Sequence, residues 1–318
     1  MNILIAGGFG YLGARLAVFL SHAGHVVYLG TRVKQPSPIW LPSARVIVMQ
    51  WSSDLDLERA CDRMDVVIHV AGVNAKNCAA DPAAALDFNA VCTERLLQAA
   101  IKQNVKQFVY FSTAHVYMSP LEGVITERTI PTNLHPYALS HKLGEDAVCL
   151  AHQRGTIDGI VVRLSNAFGA PVHKNVDCWM LLVNELCRQA IKFGHLTLHS
   201  SGLQRRDFIP ITDVCRAIEH LIGLTKRDRS MFLFNLGGQW SPTILEMAAL
   251  IQQRCDAILD FKPSLSYIPS NALEKSTALQ YKITLLLGTH FTPKGDYETE
   301  VDQLLLFCKA NFQLEDIV

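Results

Sequence analysis

The sequence predicts a protein of the α/β class, in which a doubly wound parallel sheet is followed by a smaller C-terminal lobe. Short runs rich in Val and Ile recur along the chain with helical segments between them, a pattern that indicates a parallel sheet covered on both faces. After Gly169-Ala170-Pro171 this rhythm changes, and we expect the second lobe to begin there. The 318 residues are 49% hydrophobic and 18% charged, which excludes disorder as the dominant state.

The elements follow from periodicity and breakers. Short apolar runs predict strands over Asn2–Ala6, Val26–Gly30, Arg45–Gln50, Asp65–Val70, Lys106–Ser112 and Gly159–Leu164. Apolar residues at three- and four-residue spacing predict crossover helices over Pro82–Asn104 and Tyr137–Gln153. In the later part of the chain the pattern predicts a helix over Val176–Phe193 and a strand over Leu196–His199. It then predicts a helix over Pro242–Cys255, an extended segment over Leu265–Ile268 and a final helix over Tyr297–Asn311.

Charge and cysteine usage exclude several classes of protein. With 29 basic and 29 acidic residues, nothing drives the whole chain toward nucleic acid or an anionic membrane. The apolar stretch Met1–Leu20 is interrupted by glycines and by Arg15, so it is neither a signal peptide nor a membrane span. The nine cysteines form no CxxC pair and no metal-ligand cluster. We therefore expect a soluble cytoplasmic protein with free thiols and no metal.

A glycine-rich turn follows the first predicted strand and leads directly into a helix. Gly7, Gly10 and Gly13 recur at three-residue spacing, at the position where a dinucleotide pyrophosphate would sit. Gly7 permits the tight turn, Gly10 lets backbone N–H groups approach the phosphates, and Gly13 allows the helix to pack on the strand. We assign Tyr11 and Leu12 of the same turn to this Rossmann-type cofactor site; the alternative is a structural turn without a ligand.

The residues that end the second strand select the cofactor. A carboxylate there accepts from the ribose 2′-OH of NAD, whereas a cation accommodates the 2′-phosphate of NADP. The chain has Thr31 and Arg32 and no acid at this position, which predicts NADP, with NAD as the alternative. The competing interpretation is that Arg32 is a solvated loop cation.

Further motifs occur in a fixed order along the chain. They are Asp54-Leu55, the segment Asp65–Gly72 containing Ala71, Asn89, Ser112-Thr113 with Val116-Tyr117, Tyr137, Asn166 and Gly202–Ile209 containing Arg206. In this order and spacing, and over almost its whole length, the chain resembles the extended short-chain dehydrogenase/reductases, in particular the branch that acts on nucleotide sugars.

The resemblance implies a role for each motif. It places Asp54 and Leu55 against adenine, Ala71 and Asn89 in the cofactor site, and Asn166 and Arg206 at the substrate, with Arg206 meeting its diphosphate. It also implies a dinucleotide-binding domain over residues 1–170, with a returning segment near 206–238, and a substrate-binding lobe over 171–318. The predicted helices Pro82–Asn104 and Tyr137–Gln153 would pair across a homodimer.

The resemblance implies that Tyr137 transfers the proton and that the Thr113 hydroxyl also bonds the substrate oxygen. If Tyr137 were absent, Thr113 would be interpreted as an ordinary hydroxyl at the end of a strand, bonded to backbone. The family motif Tyr-x-x-x-Lys here has His141 in place of lysine. His141 shares the Tyr137 face and can donate to the cofactor ribose, whereas Lys142 is turned about 100° away. Because histidine is mostly neutral near pH 7, two interpretations stay open: an active enzyme with altered pH dependence, or a cofactor-binding protein without turnover.

His115 is the second departure from the family. It falls where the dehydratases would have a glutamate, and Ala114-His115 replaces their Asp-Glu pair, so elimination of water is disfavoured. His115 is either an additional acid or base that faces the sugar or a satisfied structural residue.

The function predicted is NADP(H)-dependent hydride transfer at C4 of a nucleotide-linked sugar, as a 4-ketoreductase or an epimerase. NADP favours reduction, since reduction consumes a cofactor taken up from outside. The alternative is a non-catalytic NAD(P)-binding sensor or scaffold.

Overall fold

The computed structural model describes residues 1–224, 231–269 and 276–312. Within those ranges the strands are β1 (Asn2–Ala6), β2 (Val26–Thr31), β3 (Arg45–Val48), β4 (Val66–His69), β5 (Gln107–Thr113), β6 (Gly123–Ile125), β7 (Asp158–Leu164), β8 (Asn166–Phe168), β9 (His195–Thr197), β10 (Phe208–Pro210), β11 (Leu233–Leu236), β12 (Ser264–Ser266) and β13 (Leu279–Tyr281).

The helices in the same ranges are α1 (Tyr11–His22), α2 (Asp54–Cys61), α3 (Ala75–Ala80), α4 (Pro82–Leu86), α5 (Cys92–Lys102), α6 (Pro136–Gln153), α7 (Leu182–Phe193), α8 (Ile211–Gly223), α9 (Ile244–Leu259), α10 (Thr284–Leu287) and α11 (Tyr297–Asn311). A π-helical turn, Asp87–Val91, joins α4 to α5, and a 3₁₀ turn, Ala114–Val116, follows β5.

A seven-stranded parallel sheet forms the centre of the protein, in the order β11-β7-β5-β4-β1-β2-β3. The strand order reverses between β1 and β4, and open α/β sheets bind their ligands at the carboxyl ends of the strands beside such a reversal. The prediction of a doubly wound parallel sheet is confirmed.

Apolar side chains of alternating strand residues fill both faces of the sheet. Ile3 and Ile5 of β1 join one core with residues of α1 and α8, whereas Leu4 points to the other core, formed with α2 and α5. Because both faces are covered, the strands read as continuous apolar runs in the sequence.

A third apolar cluster lies in the C-terminal part of the chain. Helices α7, α9 and α11 bury their apolar faces around Phe168 and Phe208. The chain also returns to the central sheet, because β11 pairs with β7 as its edge strand. The division of the chain at residue 170 stays a prediction.

Several predicted boundaries are wrong. The helix expected over Val176–Phe193 begins only at Leu182, since residues 176–181 form turns in which the Trp179 indole donates to the Lys174 carbonyl at 2.9 Å. The helix expected over Pro82–Asn104 is interrupted by the π-helical turn. The helix expected over Pro242–Cys255 starts later because Thr243 caps it, with its side chain accepting from Glu246 N.

The remaining boundaries move by a few residues. The additional elements are α2, α3, α8, α10, β6, β8, β10, β11 and β13. Tyr297–Asn311 forms as predicted. In the part of the chain that the structure describes, no helix is long and apolar enough to cross a membrane, and no group of His, Cys, Asp or Glu residues has metal-site geometry. All nine cysteines are free thiols.

Candidate active site

The glycine turn between β1 and α1 is built so closely that side chains would not fit. Gly7 has a φ of +93°, and a Cβ there would lie 2.8 Å from the Ala71 nitrogen. A Cβ on Gly13 would lie 2.2 Å from the Gly7 carbonyl oxygen, while Gly10 N donates to that oxygen at 2.9 Å. The 12-residue helix α1 begins directly after this turn, so its first backbone N–H groups lie beside it. These residues therefore fit a dinucleotide pyrophosphate, which helix N-termini bind through backbone N–H groups.

Tyr11 and Leu12 are the first two residues of α1, directly after the turn. The Tyr11 hydroxyl donates to the Gly169 carbonyl at 2.8 Å, so this side chain ties α1 to the segment after β8. Leu12 packs against the core. A cofactor role for either residue stays a prediction and would involve main-chain atoms.

The end of β2 presents the two residues expected to select the cofactor. Thr31 Oγ1 accepts from Gln35 Nε2 at 3.1 Å and from Val33 N at 3.3 Å, so it organises the following loop. Arg32 is exposed. The guanidinium is therefore accessible to a ligand at the carboxyl end of the strand.

Asp54 and Leu55 are the first two residues of α2, whose N-cap is Ser53. Arg95 holds the Asp54 carboxylate at 2.7 Å, and the Leu55 side chain is 64% exposed. The structure thus gives Asp54 a partner on α5, and the adenine contact expected of this pair stays a prediction.

Asn89 stands in the π-helical turn and is fully engaged. Its Oδ1 accepts from Val73 N at 2.9 Å, and its Nδ2 donates to Ser140 Oγ at 3.0 Å. It thereby joins the loop after β4 to α6. Interruptions of this kind in a helix often accompany functional sites.

Tyr137, Thr113 and His141 are brought together at the carboxyl end of β5. The Tyr137 and His141 rings lie one helical turn apart with centroids 4.6 Å from each other, edge to face. Burial raises the pKa of Tyr137 above its usual value, and a hydrogen bond with the Thr113 side chain acts in the opposite direction. The arrangement can deliver a proton from a protonated phenol to a bound oxygen.

His141 is almost completely buried, and burial lowers its pKa to about 4. The imidazole is consequently neutral at pH 7. Lys142 does not replace the missing lysine, because its ammonium is paired with Asp146 on the same helix.

A cavity of about 120 Å³ adjoins this group and collects the residues expected to meet the substrate. It is lined by His115, Ser119, Pro120, Leu121, Asn166, Gln204, Arg205 and Arg206. His115 N donates to Thr113 Oγ1 at 3.1 Å, which connects the cavity to Tyr137. The Asn166 amide donates to the Asp207 carbonyl at 2.9 Å.

Charge in the cavity favours an anion. Burial lowers the pKa of Arg206, whose guanidinium bonds Gln204 Oε1 at 3.0 and 3.1 Å. Among the described residues no carboxylate lies within ion-pair distance of Arg206. Burial, and secondarily the charge of Arg206, lowers the pKa of His115. A half-buried cation beside a neutral histidine suits an anionic ligand such as a diphosphate.

Sequence reasoning missed Tyr110, whose hydroxyl lies 3.1 Å from His141 Nδ1. The motif Asp65–Gly72 was identified, but its sequence did not indicate that a Cβ on Gly72 would lie 3.7 Å from His141 Nε2. Tyr110 is 31 residues from His141 in sequence. The only available signal was a phenol inside a strand whose other residues are mostly apolar, since a buried Tyr hydroxyl requires a partner.

Comparisons with known proteins identify the family of the chain. Residues 3–237 match the NAD-dependent epimerase/dehydratase family. An uncharacterised UDP-glucose epimerase, YtcB of Bacillus subtilis, is 26% identical over 294 residues, or 85% of this chain and 88% of the relative. A dTDP-glucose 4,6-dehydratase of Actinoplanes is 28% identical over 261 residues, covering 80% of this chain and 77% of the relative.

Solved structures share the fold. The UDP-glucose 4-epimerase of Thermus thermophilus in complex with NAD superposes with a TM-score of 0.80 at 18% identity, over 98% of this chain and all of that one. The UDP-glucuronic acid 4-epimerase of Bacillus cereus, in complex with UDP-glucuronic acid and NAD, gives 0.79 at 21% identity and the same coverage. The chain belongs to the NAD-dependent epimerase/dehydratase family, a class of nucleotide-sugar enzymes, and the resemblance found in its motifs is confirmed.

Proposed function

We propose that the protein transfers a hydride at C4 of a nucleotide-linked hexose, as a 4-ketoreductase or an epimerase. The observation that carries this proposal is the position of Tyr137, whose ring lies 4.6 Å from that of His141, near a cavity that is lined by Arg206 and by His115, whose main-chain nitrogen donates to Thr113 Oγ1. A proton donor next to a site for an anion is what a sugar linked to a diphosphate requires.

The cofactor, held by the glycine turn, would supply or accept the hydride. When a carbonyl carbon gains a hydride, its oxygen becomes negative, and the Tyr137 hydroxyl supplies the proton that neutralises it. Thr113 orients this oxygen through its hydroxyl. The phenolate that remains then takes a proton from water, so that Tyr137 is restored.

NADP is the cofactor we propose, with NAD as the alternative. The support is the exposed Arg32 at the end of β2, where NAD-selective sites carry an acid. NAD occurs in the solved relatives named above, so NADP would be a difference in this chain.

We also propose that elimination of water is not the reaction, although dehydratases occur among the relatives. Ala114 and His115 stand where the resemblance predicts an acid pair. His115 is neutral at pH 7 because its pKa is lowered, and it lies in the cavity with Asn166. We assign it to sugar contact.

A homodimer is proposed from exposed apolar residues on the helices expected to pair. On α6, Leu139, Leu143 and Leu150 are 40%, 50% and 45% exposed, and they share one helical face. Leu86 and Val91 are exposed in the neighbouring helical segment.

The second candidate function is a cofactor-binding sensor without turnover, which the neutral His141 favours. One experiment separates the two. The protein is incubated with UDP- and dTDP-hexoses in the presence of NAD⁺ or NADP⁺, and with the 4-keto forms of these sugars in the presence of NADH or NADPH, and products are identified by NMR. Turnover that is lost in Tyr137→Phe supports the enzyme, whereas tight binding of a nucleotide sugar without product supports the sensor.

A further inference from the structure

The partner of His141 determines which of its two ring nitrogens carries the proton. Tyr110, on β5, is fully buried, and its hydroxyl lies 3.1 Å from His141 Nδ1, 3.4 Å from the Asn89 carbonyl and 3.5 Å from the His141 carbonyl. A phenol has one proton to donate. Asn89 O already accepts from Thr93 Oγ1 at 2.8 Å, and the His141 carbonyl lies within the hydrogen-bonded interior of α6. Nδ1 is the nearest of these three atoms to the Tyr110 hydroxyl, and it accepts from that hydroxyl in the tautomer that carries its proton on Nε2.

The packing around Tyr110 holds its hydroxyl in this place. A Cβ on Gly144 of α6 would lie 2.5 Å from the Tyr110 oxygen, so the glycine provides the space for the phenol between strand and helix. The Tyr110 and His141 rings lie 6.1 Å apart. Strand and helix thereby fix the distance between the hydroxyl and Nδ1.

The opposite edge of the imidazole faces the cofactor side. A Cβ on Gly72, just after β4, would lie 3.5 Å from His141 Cε1 and 3.7 Å from Nε2. This is the carboxyl end of the sheet beside the strand-order reversal, where a dinucleotide would lie. If Nδ1 accepts from Tyr110, a neutral imidazole carries its proton on Nε2 and offers it on this side.

We propose that Tyr110 is a positioning residue that holds His141 as the neutral tautomer protonated on Nε2, and that this neutral pair leaves Tyr137 in its acid form. The consequence for Tyr137 rests on the proposed function; the tautomer does not. A lysine at this position, as in the family motif, would carry a fixed positive charge. In this chain an uncharged hydrogen-bond donor, the Nε2–H group of His141, takes its place. Tyr137 then keeps its proton at neutral pH, which suits it to donate that proton during reduction of a ketone.

The groups around the pair are consistent with a neutral imidazole. His69 of β4 faces it, and burial lowers the pKa of His69 to about 3, so this neighbour is also neutral. Tyr137 lies on α6, and Cys78 of α3 accepts a hydrogen bond from the Asn89 amide. Burial raises the pKa of the Tyr137 phenol and of the Cys78 thiol. Glu145 lies on the Tyr110 side, where Arg163 neutralises it. Among these described neighbours no unpaired acid favours a protonated His141.

Nitrogen NMR of the free protein tests the tautomer without substrate or cofactor. Histidine ring-¹⁵N-labelled protein is titrated from pH 5.5 to 8.5, and the His141 signals are assigned by their loss in His141→Gln. We expect one neutral, Nε2-protonated pattern that does not titrate. A pattern with the proton on Nδ1, or titration of His141 within this range, would overturn the proposal, and this outcome requires only that His141→Gln folds for the assignment.

Two phenylalanine variants identify the cause. Tyr110→Phe should lose the pure Nε2–H pattern and weaken cofactor binding by about tenfold, the effect of one hydrogen bond that orders a ligand-binding group. The matched control is Tyr117→Phe, another fully buried tyrosine, whose hydroxyl donates to Asn235 Oδ1 at 2.7 Å. Tyr117→Phe should leave the His141 pattern unchanged. An unchanged pattern in Tyr110→Phe would remove the positioning role.

The ionisation of Tyr137 is measured separately. Alkaline ultraviolet difference spectra of the unmutated protein and Tyr137→Phe should place the Tyr137 pKa above its usual value, and His141→Lys should lower it. A Tyr137 pKa below the usual tyrosine value in the unmutated protein would contradict the inference. Absence of turnover with every nucleotide sugar would reject the proposed function alone, since the NMR and ultraviolet results do not depend on it.

Discussion

Arg163 of β7 and Glu145 of α6 form a buried ion pair in which the guanidinium donates twice to the carboxylate, at 2.8 and 2.7 Å. The two side chains are 4% and 1% exposed. The Arg163 guanidinium also lies 4.7 Å from the centre of the Tyr117 ring. The pair fixes α6, and with it Tyr137 and His141, to the central sheet.

Glu145→Gln should lower the free energy of unfolding by about 3–5 kcal/mol, because it leaves the Arg163 charge buried without its counter-ion. Urea denaturation measures this loss. The control is Asp146→Asn on the same helix, which removes the more exposed pair with Lys142 and should cost no more than about 1 kcal/mol. Equal losses in the two variants would show that the buried pair has no special importance.

Arg32→Ala should weaken NADP(H) binding by about 1–3 kcal/mol and leave NAD(H) binding unchanged, because the 2′-phosphate would lose a charge-assisted hydrogen bond. Calorimetric titration with each cofactor measures the difference. Lys34→Ala, another exposed cation in the same loop, serves as the control. Equal affinity of the unmutated protein for both cofactors would refute the assignment to NADP.

Light scattering at micromolar concentration should give the mass of a dimer. Leu143→Glu places a charge at the centre of the exposed apolar face of α6 and should produce monomers. Leu306→Glu changes a leucine of similar exposure, 52%, on α11 and should leave the mass unaltered. A monomeric mass for the unmutated protein would disprove the dimer.

Local signals predicted the part of the fold that depends on neighbours in sequence. The apolar run of β1, the glycine turn and the final helix Tyr297–Asn311 all form as expected. Strand β11 was not predicted as a strand, although it lies in the segment 206–238 that was expected to return to the first domain, and it pairs with β7 at the edge of the central sheet. Helix α7 begins late because residues before Leu182 are held by loop contacts that periodicity does not reveal.

In the candidate site, too, only the features that depend on residues close in sequence could be predicted. The anomaly at His141 and its position beside Tyr137 follow from helical spacing. Its contact with Tyr110 does not, since a hydrogen bond across 31 residues depends on how α6 packs on β5. For the same reason the partner that Arg95 provides for Asp54 was invisible in the sequence.

Asp207 should make stability depend on pH. Burial raises its pKa to about 7, against hydrogen bonds that act to lower it. Between about pH 4 and pH 7 the folded protein therefore binds more protons at this site than the unfolded chain, so this site destabilises the protein as pH rises through that range. Asp207→Asn, which keeps an acceptor for Gly238 N, should remove up to about 4 kcal/mol of this dependence. Urea denaturation at pH 4.5, 6 and 7.5 measures the free energy of unfolding of both proteins. The prediction is contradicted if this free energy changes with pH equally in the unmutated protein and in Asp207→Asn.

The pH dependence of turnover tests the roles of Tyr137 and His141 together. Reduction requires Tyr137 in its acid form, so the rate should fall only at alkaline pH, where burial has moved its ionisation upward. His141→Lys introduces a fixed cation that stabilises the phenolate and should move this alkaline limb to lower pH while retaining or raising activity at neutral pH. The shift is measured from the rates of 4-keto sugar reduction by the unmutated protein and by His141→Lys across the pH range.

Tyr137→Phe is the control, since it removes the hydroxyl that transfers the proton and preserves the ring that packs against His141. It should abolish turnover while the cofactor still binds. If His141→Lys binds cofactor but neither protein reduces or epimerises a sugar, the pocket is non-catalytic. Should Tyr137→Phe instead react at the rate of the unmutated protein, proton transfer belongs to another group. His115 is then the first candidate, because it lines the same cavity and its main-chain nitrogen bonds Thr113.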